Sequence, residues 1–319
     1  MRCALIVSVG LFVAGSPDAS AAVRTDTVTY QDGDAVLEGY RAYDDASPNP
    51  RPGVLVVHEW KGLNEYAKRR AEQLAELGYL AFAVDMYGKG IRATDHEEAA
   101  KLSGIYRSDR QLMRRRILAG FEELKRHPLT DGSRIAAIGY CFGGTSVLEL
   151  ARSGADLVGV VSFHGGLSTP NPADAANIKG RVLVLHGADD TFVSPDEVAA
   201  FESEMRQAGV RYRLIKYPGA VHSFTVPEAG NDPSTGMAYH AEADRRSWEE
   251  MRSFLHDVFL ESELKHIGQA GGSDPSTSLG MSPTTILSKA EGRVEGSKDD
   301  GSGAPGLPWG LHAPASAIP

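Results

Sequence analysis

The feature that most limits what this chain can fold into is an alternation of two patterns between about residues 50 and 264. Short apolar runs at 53–58, 79–85, 134–140, 157–163, 182–186 and 212–217 are separated by helical stretches at 64–77, 95–107, 109–127, 143–153 and 195–208. Most of the runs are apolar throughout rather than alternating, as strands covered on both faces are. Asn64, Asp109 and Ser194 stand where helix N-caps belong. A last helix is read over about 244–260, its pattern fading by Leu264. Strand–helix alternation of this kind predicts the α/β class, with an open, mostly parallel sheet and helices on both faces. The segment 25–43 alternates instead, and predicts an antiparallel hairpin at one edge. Ligands bind such sheets beyond the carboxyl ends of the strands, so any chemistry belongs in the loops that follow the apolar runs.

Two boundaries frame this region. Residues 1–22 read as an export signal: Met1 and Arg2 give a positive start, 4–14 is apolar but too short to span a bilayer, and Ala19-Ser20-Ala21 supplies a small-residue cleavage pattern. That predicts a secreted or periplasmic protein. The α/β domain is expected over 23–264. From 265 to 319 the chain turns rich in Gly, Ser and Pro, the composition of a disordered tail. No later segment is apolar enough to span a membrane. The net charge of -9 argues against a nucleic-acid partner, and a monomer is expected. Of the two cysteines, Cys3 leaves with the signal and Cys141 remains alone. A lone thiol in an oxidising compartment is either buried or has a chemical task.

The surroundings of Cys141 favour the task. Gly139-Tyr140-Cys141-Phe142-Gly143 has the form G-x-C-x-G, follows an apolar run and precedes a helical stretch. This is a nucleophile elbow with sulfur in place of the usual serine oxygen. A strained strand-to-helix turn presents the nucleophile, the flanking glycines let neighbouring backbone close in, and the amides at the helix start favour thiolate. A nucleophile needs a base, and the base an orienting group. With such an elbow the acid and then the histidine follow in chain order. After the run 182–186 comes Gly187-Ala188-Asp189-Asp190-Thr191-Phe192-Val193, where Asp190 fits a G-x-x-D-x-x-V pattern and Asp189 competes. The loop after 212–217 carries His222. His58 and His186 end earlier runs, His164 precedes the acid, and His240, His266 and His312 fall at the last helix or beyond. The expected oxyanion donors are the amides of Trp60, in the loop after 53–58, and of Phe142. Glu59 falls near Cys141, where an acid raises a thiol's pKa and keeps it protonated. No His or Cys cluster has metal-ligand spacing, and no phosphate loop or dinucleotide fingerprint is present. Neither a metal nor a cofactor is expected.

Together, His58-Glu59-Trp60-Lys61-Gly62, Asp85-Met86-Tyr87-Gly88, Gly139-Tyr140-Cys141-Phe142-Gly143-Gly144, the acid loop and His222-Ser223-Phe224 resemble the dienelactone hydrolase family over about 50–260. The resemblance implies an α/β-hydrolase fold, a triad of Cys141, His222 and Asp190, and hydrolysis of a small carboxylic ester or lactone through a thioester. It also implies that Glu59 engages the resting thiol and exchanges partners when substrate binds. Family members active on dienelactone hold its carboxylate with arginines. One lies four residues beyond the histidine, where this chain has Val226; the other falls in the helix after Asp-Met-Tyr-Gly, where it has His96. A neutral or weakly polar ester or lactone is therefore the expected substrate, with Lys61, Lys89 and Arg92 as the cations that could reach the pocket. Rival readings are a hydrolase of dienelactone proper, a serine esterase or peptidase of the same fold, and a non-catalytic binding protein. The serine enzyme needs a G-x-S-x-G elbow that is not found in the expected place.

Overall fold

Runs that are apolar on both faces need cover on both sides, and the computed structural model, which describes residues 23–270, supplies it. The strands are β1 (Val23–Asp32), β2 (Ala35–Asp44), β3 (Arg51–Val57), β4 (Leu80–Val84), β5 (Thr130–Tyr140), β6 (Gly159–Phe163), β7 (Arg181–Gly187) and β8 (Tyr212–Tyr217). They form one sheet in the order β1-β2-β4-β3-β5-β6-β7-β8. From β4 to β8 every pairing is parallel. β1 and β2 make the antiparallel edge hairpin expected from the alternating segment, and β2 joins β4 antiparallel.

The helices are α1 (Glu65–Glu76), α2 (His96–Ser108), α3 (Arg110–Arg126), α4 (Phe142–Arg152), α5 (Pro195–Gln207) and α6 (Ala241–Ala270). Successive strand residues point to opposite faces, and the two cores divide accordingly. Leu55 and Val57 of β3 pack with Phe121, Leu148 and Phe201 of α3, α4 and α5. Val54 and Val56 pack with Leu74 of α1 and Phe254 of α6. Three starts foreseen from sequence are capped as expected: Asn64 accepts from Ala67 N, Asp109 from Leu112 N and Ser194 from Glu197 N.

α6 differs from its expected extent. It runs on through Leu264 to Ala270, because Glu261, Glu263 and Lys265 are good helix formers and one glycine, Gly268, is tolerated. Leu264 and Ile267 on this last stretch are exposed. The export signal expected at 1–22 and the tail beyond 270 lie outside the described residues. No described helix is long and apolar enough to cross a membrane.

The fold places one junction under close steric control. At the β5–α4 turn, a Cβ on Gly139 would fall closer than 3.0 Å to the backbone of Gly143, and a Cβ on Gly143 equally close to the carbonyls of Val57 and His58 at the end of β3. Overpacking of this kind costs about 1–3 kcal/mol. Gly143→Ala is expected to lower the melting temperature by several degrees, as thermal unfolding will show; an unchanged melting curve means the turn is looser than this packing.

Candidate active site

The loops at the carboxyl ends of β3, β5, β7 and β8 meet around one sulfur. Cys141 sits between β5 and α4 with φ 52° and ψ −113°, a conformation that an L-residue adopts only under constraint. Its amide is tied to Phe163 O of β6 at 3.0 Å. The side chain is 5% exposed. Phe142 follows as the first residue of α4, so its amide has no intrahelical acceptor.

His222 arrives from the loop after β8. Its backbone is pinned on both sides, the amide donating to Gly236 O at 3.2 Å and the carbonyl accepting from Ala238 N at 3.1 Å. Its Nε2 lies 3.1 Å from Cys141 Sγ and its Nδ1 lies 2.8 Å from Asp190 Oδ2. Asp190 is buried, and its other oxygen accepts from Phe192 N at 2.8 Å. Asp189 serves the backbone instead: its Oδ2 accepts from Gly219 N at 3.1 Å, tying the β7 loop to the β8 loop. The structure thus brings Asp190, not Asp189, against His222. Burial works against a charge on His222, but the Cys141 sulfur and the bonds to Asp190 and Cys141 outweigh it and lift its pKa to about 10.

Three of the other histidines are occupied elsewhere. His58 Nε2 accepts from Met86 N at 3.2 Å, His164 Nε2 lies 2.8 Å from Thr225 Oγ1, and His240 Nδ1 accepts from Ala243 N at 3.2 Å.

Glu59 does not reach the sulfur. Ser223, with φ 58°, turns its hydroxyl to donate to Glu59 Oε1 at 3.2 Å. The expected contact of Glu59 with the resting thiol is absent, since Cys141 is bonded to His222. Glu59 is 9% exposed, and burial pushes its pKa up to about 7 against the pull of His222 and the Ser223 hydroxyl.

Trp60 lines the cavity that holds Cys141 and His222, about 260 Å³ in volume, and its amide donates to no backbone carbonyl among the described residues. Phe192 forms another wall; it is 58% exposed and packs edge-on to His222 with ring centroids 5.2 Å apart. The cavity also corrects the expected source of cations, because Arg107 and Arg110 line it rather than Lys61, Lys89 or Arg92. Sequence reasoning looked for cations at Val226, His96 and the early loops. Val226 and His96 line a neighbouring cavity of about 520 Å³, as does Lys61. Lys89 pairs with Glu38 at 2.8 Å, and Arg92 donates to the carbonyls of Leu63 and Ile91. The only sequence signal for the two arginines was their position on either side of Asp109, where α2 breaks into α3.

The sequence model of the dienelactone hydrolase family matches residues 37–259. A solved dienelactone hydrolase-like promiscuous phosphotriesterase from metagenomic libraries is 41% identical with a TM-score of 0.72, over 75% of this chain and 99% of that one. An uncharacterised Caenorhabditis elegans protein is 35% identical over 149 residues, 45% of this chain and 92% of its own. An Escherichia coli K12 protein provisionally named carboxymethylenebutenolidase is 28% identical over 267 residues, 76% of this chain and 93% of its own.

Glu59 gives this site a stability signature. A buried acid with a raised pKa keeps its proton in the folded state after the unfolded chain has lost its own. Stability then falls as pH rises from about the ordinary value of 4.5 to about 7, and levels off above. Glu59→Gln is expected to remove that component and gain up to about 3 kcal/mol relative to the parent between pH 5 and pH 8. Denaturant unfolding across that range checks it; a pH-independent difference means Glu59 is ionised throughout.

Proposed function

The chain belongs to the dienelactone hydrolase family, and from that premise we propose that it hydrolyses a small carboxylic ester or lactone by covalent catalysis at Cys141. The observation that carries the reading is the line of contacts from Cys141 Sγ through His222 to Asp190, at 3.1 and 2.8 Å, inside a cavity open to a small molecule. A pKa near 10 favours imidazolium at His222, whose Nε2 lies 3.1 Å from Cys141 Sγ. Glu59, neutral below about pH 7, adds little negative charge to the site.

The thiolate attacks the carbonyl carbon and a C–S bond forms. Negative charge moves to the carbonyl oxygen, where the amides of Trp60 and Phe142 accept it. On collapse the C–O bond breaks and His222 Nε2 gives its proton to the departing alkoxide. Neutral His222 then takes a proton from water, the hydroxide attacks the thioester, and the acid leaves as the thiolate and imidazolium are restored. Asp190 holds the ring with Nε2 toward sulfur throughout. The relative named a promiscuous phosphotriesterase, at 41% identity, brings neutral phosphotriesters into the same substrate screen. Residues 1–22 direct export in this reading, and cell fractionation of the full chain should place the protein outside the cytoplasm.

Cys141→Ala is expected to abolish hydrolysis of p-nitrophenyl esters, and trapping with a slow ester should leave an acyl adduct on Cys141 by mass spectrometry. Asp190→Asn should cost on the order of 10⁴ in turnover, whereas Asp189→Asn should cost far less. Full esterase activity in Cys141→Ala, or a larger loss from the Asp189 change, overturns these assignments.

A further inference from the structure

The hydrolytic steps ask the amide of Trp60 to meet a developing negative charge, so whatever fixes that amide bears on the rate. The amide belongs to the Glu59–Trp60 peptide, which lies in the loop between β3 and α1. Loop peptides keep a fixed direction only where their own polar groups are tied down.

Two side chains hold this one. His58 follows β3 directly and is fully buried. Its Nδ1 lies 2.5 Å from Glu59 O, the carbonyl of the same peptide that carries the Trp60 amide. A carbonyl only accepts, so Nδ1 bears the proton. Nε2 accepts from Met86 N at 3.2 Å, so it bears none. The two bonds fix one neutral tautomer, and burial accordingly holds the pKa of His58 below the ordinary histidine value. The donor behind the ring is anchored in turn: Asp85 accepts from Tyr87 N and Gly88 N at 2.9 and 3.0 Å through one oxygen, which sets the turn after β4. Glu59 O also accepts from Gly62 N at 3.3 Å. On the other side of the Trp60 Cα, the Tyr87 hydroxyl donates to Trp60 O at 2.8 Å. Both peptides flanking Trp60 are thus held by their carbonyls, and a planar peptide held at its oxygen has little freedom at its N–H. The His58 ring also stacks on Phe142 with centroids 6.0 Å apart and meets Tyr87 edge-on at 5.0 Å. Phe142 supplies the second amide, so one imidazole is packed against both halves of the oxyanion hole.

Hydrogen bonds in a chain polarise one another, and a donor on a peptide carbonyl makes the N–H of that peptide a stronger donor. We propose that His58 and Tyr87 are positioning residues for the oxyanion hole: together they aim the Trp60 amide at the place the carbonyl oxygen takes in the tetrahedral intermediate, and His58 relays the pull of Met86 N–H through its ring to strengthen that amide. Neither lines the cavity that holds Cys141, so both act through Trp60. The inference rests on the reading of Cys141 as nucleophile and of Trp60 as an oxyanion donor.

The test sets hydrolysis of p-nitrophenyl acetate against alkylation of Cys141 by iodoacetamide, in the full chain, with labelling followed on the peptide that contains Cys141. Hydrolysis passes through two oxyanions, one as the thioester forms and one as it is cleaved. Alkylation displaces iodide at a saturated carbon and passes through none. His58→Phe keeps a ring in the same space and removes both hydrogen bonds. It is expected to lower kcat about tenfold or more, toward the roughly 10²–10³ that loss of a whole donor costs, with KM and the alkylation rate within about threefold of the parent. Glutamine carries both a donor and an acceptor, so His58→Gln should recover most of the lost turnover. Tyr87→Phe should lower kcat several-fold with the alkylation rate again preserved, and it keeps the test decisive if His58→Phe does not fold. A kcat that His58→Phe or Tyr87→Phe leaves unchanged, an alkylation rate that falls in step with kcat, or a His58→Gln enzyme no better than His58→Phe overturns the proposal while the catalytic reading stands. If the parent is alkylated at Cys141 but hydrolyses no ester, or if Cys141→Ala hydrolyses the ester fully, the catalytic reading fails and takes the proposal with it.

Discussion

Everything at the carboxyl end of this sheet depends on the tight turn that carries Cys141 out of β5 and into α4. The turn holds an L-residue at positive φ, a conformation that costs on the order of 1–3 kcal/mol. It is kept there by close packing of Gly139 and Gly143 against backbone and by the bond from Cys141 N to Phe163 O. The sheet is buried on both faces, so the strain is set against a large cooperative core. The same region holds the other non-glycine residues at positive φ among those described, His164 after β6 and Ser223 after His222. Strain gathers where side chains must be aimed, and the rest of the fold is regular.

The aim of His222 is secured from the far face of the sheet. Thr225, in the same loop, has its hydroxyl between Tyr66 of α1, which donates to it at 2.7 Å, and His164 at 2.8 Å. Arg70 of α1 donates to Thr225 O at 3.2 Å and to Asp244 of α6 at 2.5 Å. His164 in turn packs edge-on to His222 with ring centroids 5.3 Å apart. Polar groups buried this deeply carry a desolvation cost, and partners in fixed positions are what make them tolerable. The result is a histidine held by its loop, by Asp190 and by a hydrogen-bonded chain reaching two helices that never touch the cavity.

Charge at the site is arranged in layers. The innermost layer is the Cys141–His222–Asp190 line, where imidazolium is favoured. Around it lies Glu59, buried and reluctant to ionise. Farther out stand Arg107 and Arg110, on the cavity wall together with Glu197. Trp60 and Met237 belong to the walls of both this cavity and the larger one beside it, so the two compartments are neighbours with a shared apolar partition.

Much of this was written in the sequence, because the signals involved are local. Continuous apolar runs between helical stretches dictate a covered parallel sheet. G-x-C-x-G dictates the elbow, since only glycine admits the backbone approach found at Gly139 and Gly143. Chain order singled out His222 among the histidines, and the G-x-x-D-x-x-V pattern favoured Asp190 over Asp189. The tertiary structure decided what depends on residues far apart in the chain. It turned Ser223 so that Glu59 bonds to a hydroxyl rather than to the thiol. It carried α6 on to Ala270, where propensity outlasts packing. Above all, it moved the charge of the pocket. Val226, read as the loss of an arginine, lines a different cavity, while Arg107 and Arg110 enter the one with Cys141 through a helix break whose direction no linear pattern encodes. Local chemistry fixes which side chain can react; the relative placement of helices fixes which charges it meets.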